Sequence, residues 1–158
     1  MDYDQNILFL CNHNSARSQM AEALLQNRSH PRLTVSSAGM EPRPIDENAI
    51  KAMNEIGIDI SGERSKTTRE FMGYGVIHHA IFLCAESEED CPRIFPFANN
   101  EHQWRIPAPH ALAEELGSDE EAFRQVRDLI DKHIEDWLAE WETNSQPDAE
   151  IDEGEASA

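Results

Sequence analysis

Positive charge is scarce in this chain. Lys and Arg number 13 against 31 Asp and Glu, a formal net charge of −18. Nucleic acids and anionic membranes both need positive surface, so this balance argues against either as a partner. An anionic ligand must also cross a repulsive far field, so only a dense local cluster of donors can hold it. No apolar stretch is long enough to span a bilayer, and no charged-then-apolar leader opens the chain; a cytoplasmic protein is expected. Cysteines are few and odd in number, three in 158 residues. A secreted disulfide scaffold usually carries an even set. Three thiols in such a chain point to redox chemistry or to isolated core residues. Internal repeats and interdomain linkers are also missing. The length suits one domain with a real core, expected to act as a monomer.

What is present is an alternation of strand-like and helix-like runs. Residues 6–10 read as a buried strand. Residues 15–26 read as a helix with Met20, Leu24 and Leu25 on its apolar side. Residues 33–37 are a second strand, and 46–56 a helix with an acidic start, stopped by Gly57. Residues 80–83 are a third strand and 103–106 a fourth, ended by Pro107 and Pro109. The clearest helix is 119–141, where Phe123, Val126, Ile130, Ile134, Trp137 and Trp141 recur at helical spacing. Such alternation predicts a single α/β domain over 1–141: a four-stranded parallel sheet with helices on both faces. From 142 to 158 the apolar pattern stops and only acidic charge remains, so a disordered tail is expected.

The run from Cys11 to Ser18 carries the chemistry. Cys11 and Arg17 are separated by five residues, after an apolar strand and before an amphipathic helix. A loop there turns its N–H groups inward while the helix points its positive end at the same centre. Asn12, His13, Asn14, Ser15, Ala16, Arg17 and Ser18 would then surround a tetrahedral oxyanion. Arg17 can hold it with two parallel bonds. Cys11 lies beneath, where the positive field favours the thiolate nucleophile. The spacing alone is common; the strand-before, helix-after context makes it specific.

The run NILFLCNHNSARSQMAEALL resembles the active-site loop of the low-molecular-weight tyrosine phosphatase superfamily, and within it most closely the thioredoxin-coupled arsenate reductases. The likeness continues through Ser36-Ser37-Ala38-Gly39, through GIDISGERSK, and from Cys84 to Cys91-Pro92, covering about residues 5–140. It implies that the strands ending at Cys11 and Cys84 lie side by side, and that Cys11, Cys84 and Cys91 form a disulfide relay. Cys11 would attack arsenate, Cys84 would release arsenite, and Cys91 would carry the disulfide to an accessible position for thioredoxin or another thiol reductant. A helix across 84–91 would separate the two Cα atoms by about 10.5 Å. A disulfide tolerates roughly 7 Å, so that segment must unwind. The acids between them, Glu86, Glu88, Glu89 and Asp90, disfavour both thiolates.

Two departures from the pattern are informative. Phosphatases of the superfamily place an aspartate before a proline to protonate the leaving group. Here Trp104-Arg105-Ile106-Pro107-Ala108-Pro109 puts Ala108 at that place, and His110-Ala111 replaces the aromatic pair beyond it. General acid catalysis is typically worth 10²–10⁴-fold, so the loss weakens hydrolysis of phosphotyrosine or aryl phosphates more than arsenate reduction. A non-catalytic oxyanion-binding or redox-sensing module is the third alternative. Some family reductases bind potassium through an asparagine, a glutamate, a serine and an aspartate. Asn14, Glu22 and Ser37 match the first three, and Lys66 takes the aspartate's place. Neither a metal nor a cofactor is expected: His78 and His79 lack a third ligand at metal spacing.

Overall fold

Strand β1 (Gln5–Cys11) is buried on both faces, which is why its sequence is an unbroken apolar run. The computed structural model describes residues 4–28, 30–73, 75–89 and 91–144. β1 pairs in parallel with β2 (Leu33–Gly39) on one side and β3 (Ile77–Phe82) on the other. β4 (Ala98–Gln103) adds to β3, again in parallel, giving the order β2-β1-β3-β4. The expected four-stranded parallel sheet is therefore present. The chain turns back between β1 and β3, and ligands of such sheets bind beyond the strands' carboxyl ends at that switch point. Leu10 pairs with Phe82, so Cys11 and Cys84 leave the sheet together.

Pleating sends Ile7 and Phe9 to one face, where they pack with Val35 and with α1 (Arg17–Asn27), α2 (Glu47–Asn54) and α4 (Asp119–Asn144). Phe123, Val126, Ile130, Ile134, Trp137 and Trp141 all join this core, as their spacing predicted. Leu8 and Leu10 face the other way, against Phe82, Phe95 and Phe71, the last from a short 3-10 helix (Thr68–Phe71). Asp46 caps α2 by accepting from the Asn48 N–H at 2.9 Å, and Gly57 follows in the left-handed region that ends it.

Most boundaries lie within two residues of the sequence reading; three elements differ by three residues or more. β4 lies at 98–103, not 103–106; its Asn99, Asn100 and Glu101 are exposed, so backbone pairing rather than an apolar pattern makes the strand. β3 starts at Ile77, so His78 and His79 lie within the strand and not before it. α4 runs to Asn144, three residues past the last apolar position. α3 (Pro109–Leu116) was not anticipated; Pro109 opens it and Gly117 closes it. The expected acidic tail falls, from residue 145 onward, outside the described residues. Among those described, no helix is long and apolar enough to cross a membrane.

Candidate active site

The loop after β1 is held open by its outward carbonyls. Asn12 O accepts from the Glu41 N–H, His13 O from Arg43, and Ser15 O from Asp46, all at 2.9–3.0 Å. Asn14 O accepts from the Ser65 hydroxyl at 2.9 Å. With these carbonyls turned away, the amides face the centre, and α1 starts at Arg17 with no side chain capping it. Its free positive end points into the same space.

Asn14 makes this conformation possible. Its φ of 52° lies in the left-handed region, which asparagine tolerates better than most residues. The side chain is fully buried and fully used. It donates to Ser18 Oγ (2.8 Å) and Ser37 Oγ (2.9 Å), and its Oδ1 accepts from Gln19 and from the Lys66 N–H. Gly39 closes against it: a Cβ there would lie 2.7 Å from Asn12 O and 2.8 Å from Asn14 N. The Ser-Ser-Ala-Gly run thus ends in the residue whose lack of a side chain lets the loop approach β2.

Behind the loop, Ser37 donates to Glu22 in a short hydrogen bond, and Gln26 donates to the same carboxylate. The Lys66 ammonium is 3.6 Å from Glu22, with both side chains nearly buried. The cluster of Asn14, Glu22, Ser37 and Lys66 expected from the sequence is assembled. A potassium ion does not fit it: the lysine supplies the positive charge, and a second carboxylate ligand is missing.

A pocket of about 170 Å³ opens over the loop, lined by Cys11, Asn12, His13, Ser15, Ala16, Arg17, Asp46, Glu88, Ala108, Pro109 and His110. That is well below the 300 Å³ or more of typical drug-sized sites and suits a small anion. Asn14 and Ser18, expected among the residues around the anion, lie beneath the pocket instead. Ser18 Oγ is 2.8 Å from the buried Cys11 Sγ. Ala108 does line the pocket, so the aspartate of the phosphatase pattern is absent from its place there, and the carboxyl groups that line the pocket come from Asp46 and Glu88. His110 stands at the rim with Nε2 2.7 Å from Asp46 Oδ2.

Cys11, Cys84 and Cys91 form one buried cluster. Cys84 and Cys91 are bonded, with Cα atoms 6.2 Å apart, and residues 85–89 are turns and irregular chain rather than helix, as the geometry required. One expectation fails here. The disulfide is not accessible: Cys84 is 3% exposed and Cys91 6%. Of the intervening acids, Glu88 does lie beside the sulfurs, and the same carboxylate forms a two-pronged ion pair with Arg17, with Nη1–Oε1 and Nη2–Oε2 both 2.6 Å. Burial pushes the Glu88 carboxyl up, but Arg17, the Ala85 N–H and Arg93 outweigh it and hold the group below the usual carboxylate range. Arg17 Nη1 is also fixed by Leu83 O and Ile106 O. Cys84, Glu88 and Cys91 bring ligand-type atoms within 4.8 Å of one another. The sulfurs are committed to each other and Glu88 to Arg17, so the set does not offer a metal three free donors.

His79 and His102 form a separate pair, Nδ1 to Nε2 at 2.9 Å, and His79 Nε2 meets Gln5 Oε1 at 3.0 Å. Burial and the neighbouring His102 and His78 push His79 down to about 4. The sequence reading missed Glu88 and Asp46 as pocket residues. Glu88's only signal was its position four residues after Cys84.

Comparison with known proteins agrees with this architecture. Residues 6–147 match the model of the family described as low molecular weight phosphotyrosine protein phosphatase. An arsenate reductase of Bacillus licheniformis is 39% identical over 136 residues, 82% of this chain and 92% of that one. An arsenate reductase of Bacillus cereus is 36% identical over 137 residues, 85% and 94% of the two chains. A solved structure of an arsenate reductase in the phosphate binding state superposes with TM-score 0.70 at 28% identity, over 86% of this chain and 98% of that one.

Proposed function

The chain belongs to the low molecular weight phosphotyrosine protein phosphatase family, and from that premise we propose that it reduces arsenate to arsenite by a three-cysteine relay. The observation that carries this reading is the single buried cluster of Cys11, Cys84 and Cys91, with the last two already joined. A phosphatase of this fold needs only Cys11 and Arg17.

Arsenate is held by the loop amides and the Arg17 fork. The Cys11 thiolate attacks arsenic, and one arsenic oxygen leaves with protons as water. Ser18 steadies the sulfur. Cys84 then attacks Cys11 Sγ. The sulfur–arsenic bonding pair stays on arsenic, which leaves as arsenite, and a Cys11–Cys84 disulfide forms. Cys91 attacks Cys84, frees the Cys11 thiolate and gives the bond seen here. A dithiol reductant, for which thioredoxin is our choice, restores two thiols. Ala108 brings no proton to this site. Loss of water from arsenic needs less acid assistance than expulsion of an alkoxide or phenoxide, so the site favours arsenate over phosphate esters. A transient catalytic disulfide of this kind fits the cytoplasm, where we place the protein.

Arsenate-dependent NADPH consumption with thioredoxin and its reductase tests the reading, beside an aryl-phosphate hydrolysis assay. Turnover in the first and little in the second is expected. Hydrolysis without arsenate-dependent NADPH loss would overturn it.

A further inference from the structure

Arg17 is the natural fork for a tetrahedral oxyanion, yet in this structure its fork is filled by the protein itself. Both Glu88 oxygens meet both terminal nitrogens of Arg17 at 2.6 Å, and the Ala85 N–H donates to Glu88 Oε1 at 2.6 Å. Glu88 lines the same pocket as Cys11 and the loop residues. Its two oxygens stand where two oxygens of a bound anion would accept. The Arg17 side chain is 8% exposed and Glu88 26%, so bulk solvent screens the pair only partly. Arg93 laces the same segment, donating to the carbonyls of Ala85, Glu86 and Glu88.

The ring closed between Cys84 and Cys91 spans this segment and, with the Ala85 N–H and Arg93, tethers the carboxylate beside the guanidinium at a high effective concentration. Breaking the bond would remove that tether and lower the concentration. We propose that Glu88 is an internal ligand that closes the oxyanion site while Cys84 and Cys91 are joined, so that no new oxyanion enters until the disulfide is reduced. The inference rests on reading the Cys11–Arg17 loop as the oxyanion site. Linkage makes the effect reciprocal. An anion that takes Arg17 from Glu88 loosens the segment between the two cysteines and so speeds reduction of the disulfide. In the oxidised protein the latch prevents Cys11 from engaging arsenate at a moment when no resolving thiol is free.

The test uses inorganic phosphate, without arsenate or thioredoxin, on the full chain. Calorimetric titration of the wild type should show reduced protein binding phosphate on the order of tenfold more tightly than oxidised protein. Glu88→Gln should tighten the oxidised form more than the reduced form, so that the ratio between the two states shrinks. Independently of any variant, dithiothreitol should reduce wild-type Cys84–Cys91 faster as phosphate rises, with saturation, and chloride at equal ionic strength should not reproduce this. In Glu88→Gln the reduction should start fast and be indifferent to phosphate. Equal phosphate affinity of the two wild-type redox states would overturn the latch alone. So would a Glu88→Gln protein that keeps the wild-type ratio, or a reduction rate indifferent to phosphate in the wild type. Failure of the reduced wild type to bind phosphate would overturn the oxyanion-site reading as well. An inactive arsenate assay would leave all these measurements standing.

Discussion

Replacing Lys66 by Met removes the ammonium that faces Glu22 and keeps the stem. The magnitude follows from the surroundings. Glu22 and Lys66 side chains are 11% and 13% exposed and 3.6 Å apart. Removing one partner of a buried pair typically costs about 3–5 kcal/mol, because the other charge stays behind unpaired. Glu22 retains the donors Ser37 and Gln26, which offset part of that loss. A net cost of about 2–3 kcal/mol is expected, a drop in Tm of roughly 5–10 °C for a domain of this size. The same substitution loosens Ser37 and, through it, Asn14, so phosphate affinity should fall too. Thermal melts in potassium and in sodium at equal ionic strength supply the second reading. The wild type should be indifferent to the swap, since the lysine supplies the charge. Lys66→Asp should be weak in sodium and regain stability in potassium, while Lys66→Met should stay equally low in both. A potassium-specific gain in the wild type would refute the reasoning. So would a Lys66→Met protein melting within about 1 °C of it, a shift too small for a buried charge left unpaired.

Cys84→Ser should still let Cys11 engage arsenate but release no arsenite. Cys91→Ser should complete one turnover and trap Cys11–Cys84, seen by peptide mapping; repeated turnover with thioredoxin at the wild-type rate would end the relay. Gly39→Ala should cost about 1–3 kcal/mol and abolish phosphate binding, because the new methyl group meets loop backbone atoms that cannot yield without displacing the anion site. Its melting curve and a phosphate titration check both halves. His79 should give the protein a mild acid sensitivity. Its folded value of about 4 lies below the ordinary histidine value of 6.5, so the unfolded chain binds the proton first as pH falls. The associated stability is fully present above 6.5 and is lost as pH falls toward 4. His79→Gln should flatten the fall in Tm across that window, measured by melts between neutral pH and pH 4.

Much of the fold was legible in the sequence because its signals were local and periodic. The apolar run of β1 and the helical spacing of Phe123 through Trp141 declare themselves without tertiary information. The strand, loop and helix around Cys11 and Arg17 were equally plain, since they lie consecutively. β4 was not, because Asn99, Asn100 and Glu101 carry no strand preference; the open edge of β3 imposes the conformation. Half of Glu88's role was hidden for a related reason. Sequence proximity placed it beside the two cysteines, where it lies, but its ion-pair partner is 71 residues away. The burial of the disulfide was hidden in the same way, since the resemblance implied where the bond forms but not what covers it.

β4 has one more consequence, which concerns folding. All pairings in this sheet are parallel and join distant parts of the chain, so the sheet assembles late and the outer edge of β3 stands unpaired until residues 98–103 arrive. An apolar strand edge in that condition is a template for other chains. The strand that finally covers it bears Asn99, Asn100 and Glu101 outward and offers a poor surface for further addition. With a net charge of −18 holding neighbouring molecules apart, the sheet ends where a growing β-aggregate would otherwise begin. Substituting Val at Asn99 and Glu101 would strengthen β4 as a strand and remove the stop, trading solubility during refolding for edge stability.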